Sequence, residues 1–266
     1  MSKTNTPFIG IFDSGLGGLT VLKAVHAALP GVALRYVADS GYAPYGGRGS
    51  DYIIDRSLAV AGHLLELGAR MLVVACNTAT VHAVQALRER WPATPIVAIE
   101  PGIKPAVAST VNGRVGVLAT VATLASARYQ ALLQGYAGQV LVFSQPCPGL
   151  VDQIETGQLD RRELLDLIER YCAPLREAQV DTVLLACTHY PFVQPQIQLA
   201  LGQQVQLLNI EDAVARQAKR LWQELQLPAC GDGADIALST TGNCEPLRRL
   251  GQLALGSTPQ VGQVSI

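Results

Sequence analysis

The sequence has 266 residues, of which 49% are hydrophobic and 15% are charged, and its 20 Lys and Arg nearly balance 21 Asp and Glu. This composition excludes a disordered chain, a collagen-like repeat and a coiled coil. Because neither sign of charge gathers into a long run, the sequence also argues against a protein dedicated to binding nucleic acid.

Short apolar runs alternate along the chain with longer segments of helical period, which is typical of α/β proteins whose parallel sheets are covered by helices. The predicted strands are residues 8–12, 34–38, 71–75, 96–99, 115–118, 140–143, 183–186, 205–208 and 236–238. The predicted helices include residues 19–29, 51–67, 81–90, 124–136, 161–177 and 212–225. Proline-rich passages at residues 91–95 and 100–102 are a candidate crossing between two lobes.

The chain offers no segment that we expect to enter a membrane. Residues 129–151 carry no formal charge, but glycine, glutamine and proline interrupt them, and lipid would leave their polar groups unsatisfied. The first residues contain no apolar run of signal-peptide length. We therefore expect a cytoplasmic protein without membrane contact.

Six cysteines stand at positions 76, 147, 172, 187, 230 and 244. In a reducing compartment we expect free thiols, and no two have the spacing of a zinc or thioredoxin-type motif. Two of them share a context, since residues 71–78 and 182–189 each carry an apolar run into Ala-Cys and two polar residues. This internal echo predicts two similar half-structures.

Cys76 and Cys187 are predicted to follow the carboxyl ends of buried parallel strands, where ligand-facing residues of α/β proteins lie. A helix N-terminus at that position favours an anion and lowers the pKa of a nearby thiol. Each cysteine is therefore a candidate acid or base, although one such residue alone is more often an inert buried thiol. His189, two residues after Cys187, is a candidate partner for that thiol, and its surroundings lack the spacing of a metal site.

Two glycine-rich loops follow the first two predicted strands. The turn at residues 13–18 has small residues that let backbone N–H groups approach an oxyanion, with Asp13 and Ser14 at its start. It lacks the complete fingerprint of a dinucleotide or phosphate loop, so an ordinary strand-to-helix turn is the alternative. The loop at residues 39–49 is predicted to wrap a ligand through backbone donors at Tyr45 and Gly46, its alternative being a flexible surface loop.

Several strings together resemble the glutamate racemases of the aspartate/glutamate racemase superfamily. They are Asp-Ser-Gly-Leu-Gly-Gly at residues 13–18, Pro-Tyr-Gly at 44–46, Ala-Cys-Asn-Thr-Ala at 75–79, Glu-Pro at 100–101, Leu-Ala-Thr at 118–120 and Ala-Cys-Thr-His-Tyr-Pro at 186–191. The match runs in order across most of the chain. One departure is Asn-Ile-Glu-Asp at residues 209–212, where the family usually has Asp-Ser/Thr-Gly-Glu.

The resemblance implies a cofactor-independent, metal-free racemase that moves a proton at the α-carbon of glutamate. It makes Cys76 and Cys187 the two acid/base residues, working on the D- and L-enantiomer respectively, and makes Asp13, His189 and Glu155 assistants of the thiols. The implied substrate contacts are Asp13, Ser14, Pro44, Tyr45, Gly46, Asn77, Thr78, Thr120, Thr123, Thr188 and His189.

The resemblance also implies an architecture and a biological role. Two α/β lobes with mainly parallel sheets would enclose the active site in the cleft between them, residues 1–98 and 210–266 forming the first and residues 99–209 the second. We expect a homodimer that supplies D-glutamate for bacterial peptidoglycan.

Other functions stay open on the sequence alone. An aspartate, hydantoin-type or other small amino-acid racemase of the same superfamily would keep both cysteines. A non-catalytic amino-acid binding module could share the two-lobed architecture, but it would not need two thiols at the ends of two strands. A thiol redox protein is less favoured, because the sequence has no Cys-x-x-Cys pair.

Overall fold

Parallel strands and helices alternate in the computed structural model, which describes residues 6–227 and 235–266. The strands are β1 (Phe8–Asp13), β2 (Ala33–Ala38), β3 (Ala69–Val74), β4 (Ile96–Ala98), β5 (Arg114–Ala119), β6 (Leu141–Pro146), β7 (Thr182–Ala186), β8 (Gln206–Leu208), β9 (Ile236–Thr240) and β10 (Val261–Gln263). The α-helices are α1 (Leu19–Ala28), α2 (Ser50–Glu66), α3 (Asn77–Arg90), α4 (Ile103–Ser109), α5 (Val121–Ala125), α6 (Ala127–Tyr136), α7 (Leu150–Glu155), α8 (Arg162–Glu177), α9 (Gln194–Leu201), α10 (Glu211–Glu224) and α11 (Cys244–Leu255). Cys230 lies outside the described residues.

The strands form two sheets in which the described pairings are all parallel. The first has the order β10-β9-β2-β1-β3-β4 and the second the order β6-β5-β7-β8. The order β2-β1-β3-β4 of the first sheet is therefore repeated by β6-β5-β7-β8 of the second. The prediction of an α/β fold with two similar halves is confirmed, and β9 and β10 extend the first sheet from late in the chain.

The apolar runs become strands because both faces of each sheet are covered. β1 and β7 are buried at every position, as expected for central parallel strands that carry helices on both sides. The helices supply one apolar face each: Leu164, Ile168 and Leu175 of α8 recur at helical spacing and join the core of the second sheet. Burying a side chain of this size contributes about 1.5–3 kcal/mol.

Some helix boundaries differ from the predictions for a local reason. The helix predicted at 124–136 is two helices, because the hydroxyl of Thr120 accepts the N–H of Thr123 and that of Ser126 accepts the N–H of Tyr129, so that each begins its own helix. Likewise, the helix predicted at 81–90 begins at Asn77.

The prediction also missed four helices, α4, α7, α9 and α11, and the three-residue strand β10. Three of these helices have eight residues or fewer, too short for a clear helical period. In the described part of the chain, none of the helices combines the length and the apolar character needed to cross a bilayer.

Candidate active site

The candidate site lies at the carboxyl ends of both sheets, where the strand order reverses. β2 and β3 pair on opposite sides of β1, and β6 and β7 pair on opposite sides of β5. Such reversal points open a crevice that binds ligands in α/β proteins. Asp13 ends β1 and Cys76 follows β3, while Thr120 follows β5 and Cys187 follows β7. The two cysteines thus occupy equivalent strand ends in the two halves.

Residues from both halves line one cavity of about 280 Å³. This volume is below the roughly 300–1,000 Å³ of pockets for drug-sized ligands, so the cavity suits a small metabolite. The predicted site residues in its wall are Asp13, Ser14, Pro44, Tyr45, Gly46, Cys76, Asn77, Thr78, Thr120, Cys187, Thr188 and His189. Two predicted residues, Thr123 and Glu155, lie behind this wall and contact residues that form it.

Cys76 is the N-cap residue of α3. Its Sγ accepts the N–H of Ala79 at 3.3 Å and lies 3.3 Å from the hydroxyl of Ser14. Burial and the nearby charge of Asp13 nevertheless raise the pKa of the thiol, and outweigh the hydrogen bonds that lower it. The helix N-terminus lowers this pKa as expected, through the N–H of Ala79, but burial and Asp13 outweigh it, so Cys76 carries its proton at neutral pH.

Cys187 is the first of three side chains that are linked by hydrogen bonds. Its Sγ lies 3.7 Å from Nδ1 of His189, and Nε2 of His189 lies 2.8 Å from Oε1 of Glu155. Burial alone would lower the pKa of His189, but hydrogen bonds to Cys187 and Glu155 and their negative charge raise it well above its usual value. An imidazolium at this position can stabilise negative charge on the Cys187 sulfur.

The local structure at Cys187 also differs from the prediction. No α-helix begins there among the described residues: the chain passes through a short 3-10 turn, Tyr190–Val193, before α9 starts at Gln194. Because the helix dipole acts within the first turn, the predicted effect of a helix N-terminus does not apply to Cys187. His189 is the nearby group that can supply positive charge.

The polar groups near each thiol reach across to the other half. Asp13, close to Cys76, accepts the hydroxyl of Thr188 at 3.0 Å and also the N–H of Gly18. Glu155, behind His189, accepts the N–H of Leu16 at 2.9 Å. The residues at the end of β1 and in the loop that follows are therefore hydrogen-bonded to polar side chains near both thiols.

Three threonine hydroxyls form a cluster at another part of the wall. Thr78 Oγ1 lies 3.0 Å from that of Thr120 and 3.3 Å from that of Thr123, and Thr120 donates to Thr123 at 2.9 Å. No Lys or Arg is among the described residues that line the cavity. An anionic ligand would therefore be held by hydroxyl, amide and backbone N–H donors. Within the described ranges, no three or more His, Cys, Asp or Glu side chains form a group that could hold a metal.

Sequence reasoning missed part of the wall. The additional lining residues are Gly47, Val121, Cys147, Pro148, Gly149, Val151 and Asp152. Cys147 directly follows β6, so the rule that located the other cysteines would have found it if that strand had been predicted to full length. Ser144, Gln145 and Pro146 hid the strand end, because β6 is a partly exposed edge strand where polar residues and proline are tolerated. Burial raises the pKa of Cys147, which is therefore a neutral thiol.

Gly17 provides a test of the contact between the halves. A Cβ atom at this position would overlap Nδ1 of His189 and lie 2.6 Å from Oγ1 of Thr188. We expect Gly17→Ala to lower the turnover number (kcat) of a reaction at the two thiols about 10²-fold, since a displacement of about 1 Å in the reacting groups lowers a rate by that much. Steady-state kinetics with a thermal melt would check this, with Gly49→Ala as the control because its Cβ meets nothing within 4 Å. An unchanged kcat in Gly17→Ala would show that this close packing is not needed.

Comparison with known proteins identifies the family. Residues 4–218 match the family model described as Asp/Glu/Hydantoin racemase. The glutamate racemase of Pseudomonas aeruginosa is 46% identical over 258 residues, which cover 97% of each chain. Among solved structures, glutamate racemase from Bacillus anthracis has a TM-score of 0.87 at 29% identity, and that from Francisella tularensis, in complex with D-glutamate, 0.85 at 26%, each covering 98% of both chains. The chain belongs to the Asp/Glu/Hydantoin racemase family, as its motifs predict.

Proposed function

We propose that this chain interconverts L-glutamate and D-glutamate by direct proton transfer between two thiols and the substrate α-carbon. One observation carries the proposal: Cys76 and Cys187 follow equivalent strands of two similar halves and line the same cavity. Mirror-image substrates need an acid and a base on opposite faces of one carbon, and two related halves can supply one thiol each. The glutamate racemases among the relatives support glutamate as the substrate.

In the proposed reaction of L-glutamate, the Cys187 thiolate removes the α-hydrogen as a proton. The electron pair stays on the α-carbon, and the Cys76 thiol delivers its own proton to the opposite face. The product is D-glutamate, with Cys76 now a thiolate and Cys187 a thiol. The reverse reaction exchanges the two roles, so both directions use the same groups.

The electrostatics around Cys76 and His189 support this assignment of roles. The raised pKa of Cys76 keeps that thiol protonated and ready to donate. The raised pKa of His189 favours its charged form, and Nδ1 of the ring lies 3.7 Å from the sulfur of Cys187. Proton donors and acceptors work best when their protonation states match the step that they perform.

The unstable species in this scheme is the carbanion next to the substrate carboxylate. Donors in the cavity wall must stabilise it, and we assign this task to the amide of Asn77 and to backbone N–H groups of the wall, since the hydroxyls of Ser14 and Thr188 donate to Asp13. Removing one such donor from a comparable oxyanion site costs about 3–4 kcal/mol. The wall residues next to the two thiols, among them Ser14, Asn77 and Thr188, are buried, and the limited access of water there strengthens these interactions.

The remaining predictions from the sequence belong to the same proposal. We propose that the hydroxyl cluster Thr78, Thr120 and Thr123 helps to hold a substrate carboxylate. The enzyme is proposed to work in the cytoplasm as a homodimer and to supply D-glutamate for peptidoglycan. The division of the chain at residues 98 and 209 stays a prediction.

Incubation of each glutamate enantiomer with the enzyme in deuterium oxide tests the proposal. We expect equal amounts of both enantiomers at the end and one deuterium at the α-carbon of every product molecule. D-aspartate in a parallel reaction should turn over far more slowly. Faster turnover of D-aspartate would favour an aspartate racemase, and tight binding of glutamate without deuterium incorporation would favour a binding module.

A further inference from the structure

Asp39 is a fully buried carboxylate that the proposed mechanism does not use. It follows β2 and has no exposed side-chain surface. Four donors from three side chains satisfy its two oxygens: the hydroxyl of Tyr45 at 2.6 Å, Nε and Nη2 of Arg56 at 3.0 and 2.8 Å, and the hydroxyl of Thr241 at 2.9 Å. A buried charge with so complete a set of partners fixes the relative position of the segments that supply them.

Arg56 holds this carboxylate in a fixed orientation. Its guanidinium grips both oxygens of Asp39, and Nη1 donates to the main-chain oxygen of Ile266 at 3.0 Å. Cζ lies 3.5 Å from the centre of the Tyr42 ring, so the group also stacks on an aromatic face. Lysine could reproduce the charge of Arg56 but not this planar, two-pronged contact.

Tyr45 connects the buried ion pair to the cavity. The residue is buried and lines the cavity with Pro44 and Gly46. Its hydroxyl donates to Asp39, which leaves its ring and backbone to form the wall. A Cβ atom at Gly46 would lie 3.1 Å from Cβ of Thr120, so this segment packs directly against Thr120 of the other half.

We infer that Asp39 and Arg56 are positioning residues, which hold the cavity-lining segment of residues 44–47 against the other half through the hydrogen bond to Tyr45. The inference deepens the proposed function, and it assigns the buried pair a role in binding substrate. The pair does not touch the cavity. Loosening it shifts the wall without altering either thiol, so the affinity for substrate falls while the proton-transfer steps stay intact.

A double-mutant cycle between Arg56→Lys and Tyr45→Phe tests the connection. Tyr45→Phe keeps the ring and the backbone but removes the donor to Asp39, and Arg56→Lys breaks the two-pronged contact. We expect each variant to raise KM for both enantiomers about tenfold, the effect of losing a hydrogen bond to a charged group. A loss confined to substrate binding leaves kcat changed by less than about threefold.

The double variant separates a chain of contacts from a general loss of stability. If Arg56 acts through Tyr45, the double variant raises KM no more than the stronger single variant does. Arg35→Lys is the matched control, because Arg35 stacks on the Phe8 ring, is not among the donors to Asp39 and forms no ion pair among those described. We expect the control to leave KM unchanged.

Two results would overturn the inference: an unchanged KM in Arg56→Lys despite a lower melting temperature, or effects of the two changes that multiply in the double variant. The dissociation constant of D-glutamate, measured by calorimetry, gives the same test without turnover. An inactive wild-type enzyme would contradict the proposed function but not the positioning role of Asp39 and Arg56. Tenfold weaker binding of D-glutamate by both single variants than by wild type would still support that role. Binding as tight as that of wild type would refute it.

Discussion

Replacing either Cys76 or Cys187 with serine is expected to reduce racemisation about 10³-fold or more, since in the proposed scheme each thiol supplies one of the two proton transfers. A serine hydroxyl keeps nearly the same shape but is a far weaker acid than a thiol, so it serves poorly as donor and its anion is not available as base. Because neither change alters volume by much, we expect the fold and most of the affinity for glutamate to remain. Racemisation followed by circular dichroism, with calorimetric binding of D-glutamate, would measure both.

The residual activity of the two variants distinguishes their roles. Cys76→Ser retains the proposed base for L-glutamate, so any exchange of the α-hydrogen with deuterium oxide should be confined to that enantiomer. Cys187→Ser should exchange only D-glutamate. Cys244→Ser, a change on α11 outside the cavity, serves as the control with full activity. Ordinary racemisation by either active-site variant would refute the two-thiol scheme.

Replacing His189 with asparagine should lower kcat/KM about 10²-fold, because Cys187 loses the partner that assists its proton transfer in the proposed scheme. The fall must be equal for the two enantiomers. Mirror-image molecules have equal free energies, so the equilibrium constant is one and fixes the ratio of the two kcat/KM values in any variant. The loss of assistance at one thiol can therefore make the two enantiomers differ only in their separate kcat and KM values. Progress curves from each enantiomer would measure these values.

The same variant has a consequence for stability against pH. The pKa of His189 is raised in the folded chain, so its contribution to stability is fully present below the unfolded value of about 6.5 and is lost as the pH rises through the folded value. Urea unfolding of wild type and His189→Asn should therefore differ most near pH 6 and converge at alkaline pH. A difference that grows with pH would mean that His189 is neutral in the fold.

The sequence indicates the fold well because its signals are local. Each central strand is a short apolar run that parallel sheets bury on both faces, and the echo around Cys76 and Cys187 predicted two similar halves. The position of Cys76 and Cys187 follows from the same rule, since strand ends can be located from hydrophobic runs alone. Where the strand is an edge strand, as at Cys147, the run is interrupted by polar residues and the rule loses its signal.

The electrostatics could not be predicted in this way, since they depend on partners far along the chain. The pKa of Cys76 is set by its depth and by Asp13, which lies 63 positions earlier in the sequence. Thr188 donates to Asp13 from 175 positions away, and no local pattern announces that pairing. The ion pair between Arg56 and Asp39 is likewise not predicted by any local pattern in the sequence.

The crossed hydrogen bonds, from Thr188 to Asp13 and from Leu16 to Glu155, join the two halves beside both thiols. Any parting of the sheets wide enough to let an amino acid escape would break them and expose both sulfurs to bulk water. The exchange of thiol protons with water and the release of the product would then occur in the same opening step. Deuterium from the solvent would enter the thiols once for each substrate that binds and leaves. The amount of deuterium in the product would therefore report how often the two sheets part.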